Sequence, residues 1–321
     1  MVMQSFSSSD PYLEMQKAVD IVGSSDHPTN KIAATLCGLD KDGKEYSISR
    51  TNFWPQLIAS HIGTDTDIGN SSGTIHAETA CILNAPYTYG SSLFITDPFC
   101  PNCAKNIAEA GIANIYIDHK GLSKDWIARN EDAFRQMSLR ICERAGINVY
   151  KIKRKERKIS AILEQPADYK PLHENPVEIE EITGDFPALI AEKCKQHEGH
   201  EFACALAEDK DGKTLLMTAR RHAAIGYSRE KPESMEDKQG KYSFIVQPIT
   251  RLLMNAPRNG LKLVDGSVFC TRVPTAREQV NMVGAGLSQM IIGDMDKARD
   301  DGGFAALEQL QNARVLTAGT L

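Results

Sequence analysis

The second half of this chain repeats the first. Residues 35–44 (TLCGLDKDGK) have a counterpart in 205–213 (ALAEDKDGK), which shares the DKDGK turn, and 82–86 (ILNAP) recurs as 253–257 (LMNAP). Further on, 90–96 (GSSLFIT) matches 266–271 (GSVFCT), and 109–118 (EAGIANIYID) matches 284–294 (GAGLSQMIIGD). One such match is within the reach of chance. Four in the same order, with small changes of offset, argue for a tandem duplication, so the 321 residues are expected to form two similar domains.

Within the first copy, apolar periodicity predicts a helix over 11–22, capped by Ser9 or Asp10. A hairpin follows, with strands over 32–39 and 44–49 about a turn at 40–43, then a polar, irregular stretch over 51–73. Beyond it come strands at 92–96, 112–118 and 147–153, with helices after His76, at 103–110 and at 125–145. Strands alternating with helices imply an α/β fold in which a sheet is layered by helices. From Lys151 the basic run KIKRKERK reads as a solvated strand end leading into a Pro-dotted stretch. The expected boundaries are a first domain over 1–155, a linker over 156–178 and a second domain over 179–321. Arg220, Arg221 and His222, past the returning strand of the second copy, read as a solvated basic corner.

At 41% hydrophobic and 25% charged residues the composition is that of a soluble globular protein. A net charge of −5 gives no global attraction for phosphate backbones, which disfavours nucleic acid as partner and favours small-molecule chemistry. The start, MVMQSFSSSDPYLEMQ, lacks the basic end and apolar core of a signal peptide, and no apolar run reaches membrane-spanning length, so no membrane association and a cytoplasmic location are expected. The eight cysteines sit mostly alone in apolar stretches, as reduced core thiols do, and only Cys100 and Cys103 form a close pair.

The duplication makes one set of residues conspicuous. His76-Ala77-Glu78 falls on Gln247-Pro248-Ile249, and Cys100 and Cys103 fall on Thr275 and Glu278, so the second copy keeps the apolar frame and loses these side chains together. A Cys-x-x-Cys at a helix start aims two sulfurs at one point, and a His from another helix start makes three ligands. Alone, the Cys pair also fits a redox couple or a structural zinc site. With His76 upstream, three protein ligands leave a fourth zinc position for water, the arrangement of a catalytic site, and bound zinc lowers the pKa of that water toward neutrality. Glu78, two residues from His76, is placed to shuttle protons. A structural site would have no use for it.

This His-x-Glu and Cys-x-x-Cys pattern resembles that of the zinc-dependent nucleobase deaminases. The order SDHPTNKIAATL (25–36), RTNFWP (50–55), HAE (76–78) and FITDPFCPNCAKNIAEAGI (94–112) is similar to the cytidine/deoxycytidylate deaminase superfamily, and specifically its deoxycytidylate (dCMP) branch. The resemblance implies a cytidine-deaminase-like three-layer α/β/α sandwich, here duplicated, with a second copy lacking zinc ligands. It implies Zn2+ on His76, Cys100 and Cys103, Glu78 as catalytic proton shuttle, Asn52 on the sugar, and the Ala77 amide facing the pyrimidine carbonyl. The activity implied is deamination of a pyrimidine nucleotide or nucleoside, dCMP to dUMP above all. Adenosine deaminases of tRNA share His-Ala-Glu and stand as the alternative, with a non-catalytic zinc module behind them. The second copy is expected to pair with the first as homodimer partners do, and the chain can further form a homo-oligomer. Two departures bear on substrate: Phe99 stands where the family has Pro, and Asn52-Phe53-Trp54-Pro55 replaces the family's Asn-Gly-x-Pro.

Overall fold

The two DKDGK turns fold alike. Asp40 Oδ1 accepts from the backbone N of Asp42 and Lys44, each at 2.9 Å, and Asp209 Oδ1 accepts at 2.9 Å from Asp211 and Lys213. An Asp that bonds its own backbone two residues on closes such a turn. The glycines that follow, Gly43 and Gly212, have φ of 77° and 81°, where a Cβ is strained. The hairpins these turns close, β1 (Ala33–Leu39) with β2 (Glu45–Thr51) and β8 (Phe202–Asp209) with β9 (Thr214–Arg220), begin two six-stranded sheets.

The computed structural model describes residues 9–64, 66–124, 133–231 and 243–321. In the first sheet the order is β2-β1-β3-β4-β5-β6, with β3 (Ser92–Ile95), β4 (Asn114–Asp118) and β5 (Asn148–Lys153) mutually parallel and β6 (Lys158–Leu163) antiparallel at the edge. The second sheet runs β7-β9-β8-β10-β11-β12, where β7 is Glu178–Glu181, β10 Leu261–Val273, β11 Gln289–Ala298 and β12 Thr317–Gly319. From β2 to β5 and from β9 to β12 the two orders coincide.

Alternating side chains divide each sheet between two layers. Cys37, Phe94 and Ile152 pack with Met15 of α1 (Pro11–Ile21), which Asp10 caps by accepting from Tyr12 N. Leu36, Leu93, Ile95, Ile115 and Ile117 face the other way, toward α3 (Ala77–Asn84), α4 (Pro101–Glu109) and α5 (Leu139–Ala145); α2 (Gln56–His61) lies in the stretch read as irregular. The second half has the same plan. Phe202, Cys204 and Phe269 cover α6 (Phe186–Gln196), while Ala203, Ala205 and Val268 face α7 (Pro248–Arg258), α8 (Ala276–Gly284) and α9 (Asp301–Asn312). The duplicated α/β/α layering is thus observed.

The three-helix layers of the two halves meet, and their apolar side chains form one continuous core. Every residue of α7 from Pro248 to Pro257 is buried, against its own sheet on one side and α3 and α4 on the other. Its polar side chains therefore need partners within the join. Arg251 Nε lies 3.4 Å from Glu109 of α4, Asn255 Nδ2 donates to the same carboxylate at 2.7 Å, and Arg258 donates to the Glu109 carbonyl at 3.1 Å. Each half also grips the other at a second place. Gln309 of α9 bonds the backbone of Asp67 and Gly69, while Arg140 and Arg144 lie over the rings of Phe244 and Tyr227.

Three expectations change. The basic run is the β5–β6 hairpin, with Arg154 paired to buried Asp118 at 2.8 Å, so the first sheet continues to Leu163, inside the stretch read as linker. Of the helix expected over 125–145, residues 125–132 lie outside the described ones; from Ala133 a π-helical turn leads into α5. The Arg220–His222 corner is interior: Arg221 pairs with Glu201, His222 is buried opposite Glu174, and the Arg220 carbonyl accepts from Arg251. Its surroundings come from segments far away in the chain. No helix among the described residues is long and apolar enough to cross a membrane, and all eight cysteines are free.

Removing one member of a buried ion pair strands the other. Glu109→Ala is expected to lower stability by about 3–5 kcal/mol, read as a fall in the urea unfolding midpoint; a change under about 1 kcal/mol would mean that the join does not depend on this pair.

Candidate metal centre

Two helix starts converge at one end of the first sheet. His76 is the N-cap residue of α3, and Cys100 is that of α4, where Pro101 opens the helix and Cys103 N points at Cys100 Sγ, 3.5 Å away. Asn106 of α4 donates to Thr79 Oγ1 of α3 at 3.0 Å and fixes the two helices side by side. The loop leading into Cys100 is anchored by Phe99, whose ring is buried edge-on against Phe134 at 5.5 Å, and whose carbonyl accepts from Ser138. At this departure from the family's Pro, the side chain turns into the core.

His76 Nδ1 lies 3.2 Å from Cys103 Sγ and 3.7 Å from Cys100 Sγ, and the three ligand atoms all fall within 4.8 Å of one another. Tetrahedral zinc with ordinary Zn–N and Zn–S bonds holds such atoms about 3.6–3.8 Å apart. Two sulfurs and one imidazole nitrogen at this spacing suit zinc, and no other group of three or more such ligands is found among the described residues. Cys103 shares a hydrogen bond with Cys100, which draws Cys100 well below the usual thiol range and pushes Cys103 well above it. Burial works against a proton on His76, but the Cys100 thiolate beside it carries the net shift upward. A cation would displace these protons and take over their role.

Glu78, in the first turn of α3, is buried beside this group, with its carboxyl within bonding reach of Cys103. Burial pushes its pKa from 4.5 up to about 7, against the pull of His76. A carboxyl poised near neutrality both takes up and releases protons.

The second half retains the two helix starts, with Gln247 as the N-cap residue of α7 and Thr275 capping α8 through its side chain. The expectation that only the helical frame persists there needs correcting. Glu278, in the place of Cys103, closes a capping box with Thr275 and also accepts from Ile249 N at 3.0 Å and Thr250 N at 3.4 Å. One carboxylate links the two helix starts where a metal would link them in the first half. The space around it is about 10 Å³, room for about one water at most.

By contrast a cavity of about 660 Å³ opens beside His76, Cys100 and Cys103. Its opposite wall belongs to the second half and includes Gln247, Thr250, Thr275, Arg277 and Arg299. That wall was not legible in the sequence, where the residues facing each other lie about as far apart as the two copies. Asn52 does not line the cavity; its Oδ1 accepts from Ser25 Oγ at 2.7 Å and Ile32 N at 3.0 Å, and its Nδ2 donates to Asn30 O at 2.8 Å. Its observed work is to tie the 25–32 segment to the end of β2. Trp54 stacks on His27 at 5.3 Å, and Phe53 pairs with Ile75 in the strand-like approach to His76. Ala77, first residue of α3, is buried and has an N–H without an intrahelical partner.

No family model matches the chain. It is 28% identical over 132 residues, 40% of its own length and 85% of the relative's, to an uncharacterized deaminase in the luxG 3′ region of Aliivibrio fischeri. Among solved structures it is similar to the dCMP deaminase of the cyanophage S-TIM5 in complex with dCMP and dUMP, at 23% identity and a TM-score of 0.30 over 45% of this chain and 99% of that one. The apo form of the same enzyme matches at 0.29. The curated relative supports a deaminase relationship for the part of the chain that it spans.

The burial of Glu78 has a measurable cost in metal-stripped protein. Below pH 4.5 the carboxyl is neutral folded or unfolded; above about 7 it is ionised in both, and the folded chain carries a buried charge. Stability conferred by the neutral form is thus lost as pH rises through this window, worth roughly 3 kcal/mol in all. Urea denaturation of stripped Glu78→Gln should show little advantage over wild type at pH 5 and most of that difference at pH 8; an equal difference at both would contradict it.

Proposed function

We propose that the protein is a zinc-dependent hydrolytic deaminase of a cytosine nucleotide or nucleoside, with dCMP, converted to dUMP and ammonia, as the favoured substrate. The observation that carries this reading is the convergence of His76, Cys100 and Cys103 at two helix starts with buried Glu78 beside them. His76 Nδ1 and the two sulfurs would hold the metal, which supplies a Lewis acid that makes water nucleophilic at neutral pH.

The remaining work falls to the chain. Glu78, held near neutrality by burial, accepts a proton, passes it to the ring nitrogen next to C4, and serves again as ammonia leaves. The free first-turn N–H of Ala77 is a donor suited to the pyrimidine carbonyl. The second half walls one side of the cavity, whose volume of about 660 Å³ suits a small-molecule ligand. Asn52 enters this reading through the segment it holds, with its amide oxygen already accepting two hydrogen bonds.

Purified protein is expected to hold one zinc per chain and to release ammonia from dCMP faster than from cytidine, CMP or dCTP. Glu78→Gln should keep the zinc and lose about 10²–10⁴-fold in turnover. Stoichiometric zinc without turnover on any of the four would remove the free-pyrimidine reading, and a second zinc per chain would contradict a metal-free second half.

A further inference from the structure

The segment that delivers His76 is held from the other half. Arg277, in the first turn of α8, donates from its two terminal nitrogens to the carbonyl of Thr74 at 2.6 Å and to that of Ser72 at 2.9 Å. These are the residues two and four places before His76. Within the first half the segment is held by strand-type pairing of Ser71–Ser72 with Asp67–Ile68, by the bridge between Ile75 and Phe53 and by burial of Thr74 and Ile75; the Arg277 bonds add a hold from the second half. The planar guanidinium is the group suited to gripping two acceptors at once.

The reverse contact exists in the pseudo-symmetric position. Lys105 of α4 donates to the carbonyls of Ser243 and Ile245 at 2.8 and 3.0 Å. Because His76 corresponds to Gln247, residues 243 and 245 correspond to 72 and 74. Each half therefore holds the strap of the other, from a different helical position. In the second half that strap ends in Gln247, which ligates nothing, so the contact there is architectural. In the first half it ends in the imidazole whose Nδ1 meets the two sulfurs.

We propose that Arg277 is a positioning residue for the metal centre, and that the second half thereby sets the metal affinity of the first. This rests on the zinc reading above. The general cost of losing an outer-shell partner that orients a metal ligand is about 10–100-fold in affinity. Another second-half side chain, Gln309, grips the same segment farther upstream, at Asp67 and Gly69, and so reports general loosening of the join without loss of the grip next to His76.

The test is zinc affinity by competition with a chromophoric chelator, on full-length wild type, Arg277→Ala and Gln309→Ala, with the thermal midpoint of each stripped protein measured alongside. The expected result is a 10–100-fold loss for Arg277→Ala, near-wild-type affinity for Gln309→Ala, and similar midpoints for the stripped proteins. Wild-type affinity in Arg277→Ala, or an equal loss in Gln309→Ala, overturns the proposal. Should Arg277→Ala fail to fold, Arg277→Met keeps the aliphatic stem without the donors and is judged by the same criterion. Wild type that binds no zinc would sink the metal reading itself, a result distinct from failure of the clamp.

Discussion

Everything in this molecule depends on burying the outer side of a helical layer. A sheet covered by three helices on one face leaves those helices half solvated. Here each layer is completed by the other half's layer, and the apolar side chains run through as one core. Helix α7 shows the consequence: a segment with Thr250, Arg251 and Asn255 among its residues is buried from Pro248 to Pro257. Its polar groups are tolerable only because Glu109 and backbone carbonyls of distant segments meet them. Each half thus completes the helical layer of the other.

The same pairing explains how one frame hosts two chemistries. In both halves, two helices begin side by side, and their first-turn amides and capping side chains must be satisfied. The second half does so with Glu278, which bridges both helix starts and leaves almost no space. The first half does so only in part, with Cys103 N directed at Cys100 Sγ and the Ala77 N–H without an intrahelical partner, beside a large polar cavity. One arrangement is a closed structural link. The other brings two sulfurs and an imidazole nitrogen together, with a buried carboxyl beside them.

Much of this was legible in sequence because it is local or repeated. The DKDGK turns, the Asp10 cap and the alternating strands lie within short windows and are observed, and the His-x-Glu and Cys-x-x-Cys motifs are local enough to read, with His76, Cys100 and Cys103 found together in space. What escaped depends on contacts between distant segments. Strand β6 was hidden by its charged hairpin, whose Arg154 finds a buried Asp118 36 residues away. His222 read as solvated because Glu174, which lies opposite it in the buried corner, is not near it in the chain. Arg277 carries no local signal at all, being one basic residue in a helix, until the fold brings it to carbonyls 203 and 205 residues distant. Asn52 shows the opposite case, a residue picked out by pattern whose amide turns out to serve the scaffold.

The proposed function requires one cation in the first half, in an open site of two sulfurs and one imidazole, and none in the second half. Zinc K-edge absorption on the full-length, zinc-loaded protein tests it directly. The expected result is a single class of zinc with two sulfur ligands at about 2.3 Å and two nitrogen or oxygen ligands at about 2.0–2.1 Å, one of the latter exchangeable with added small ligands. A spectrum of four protein ligands closed to exchange, or a fit requiring sulfur from more than two cysteines, would contradict it.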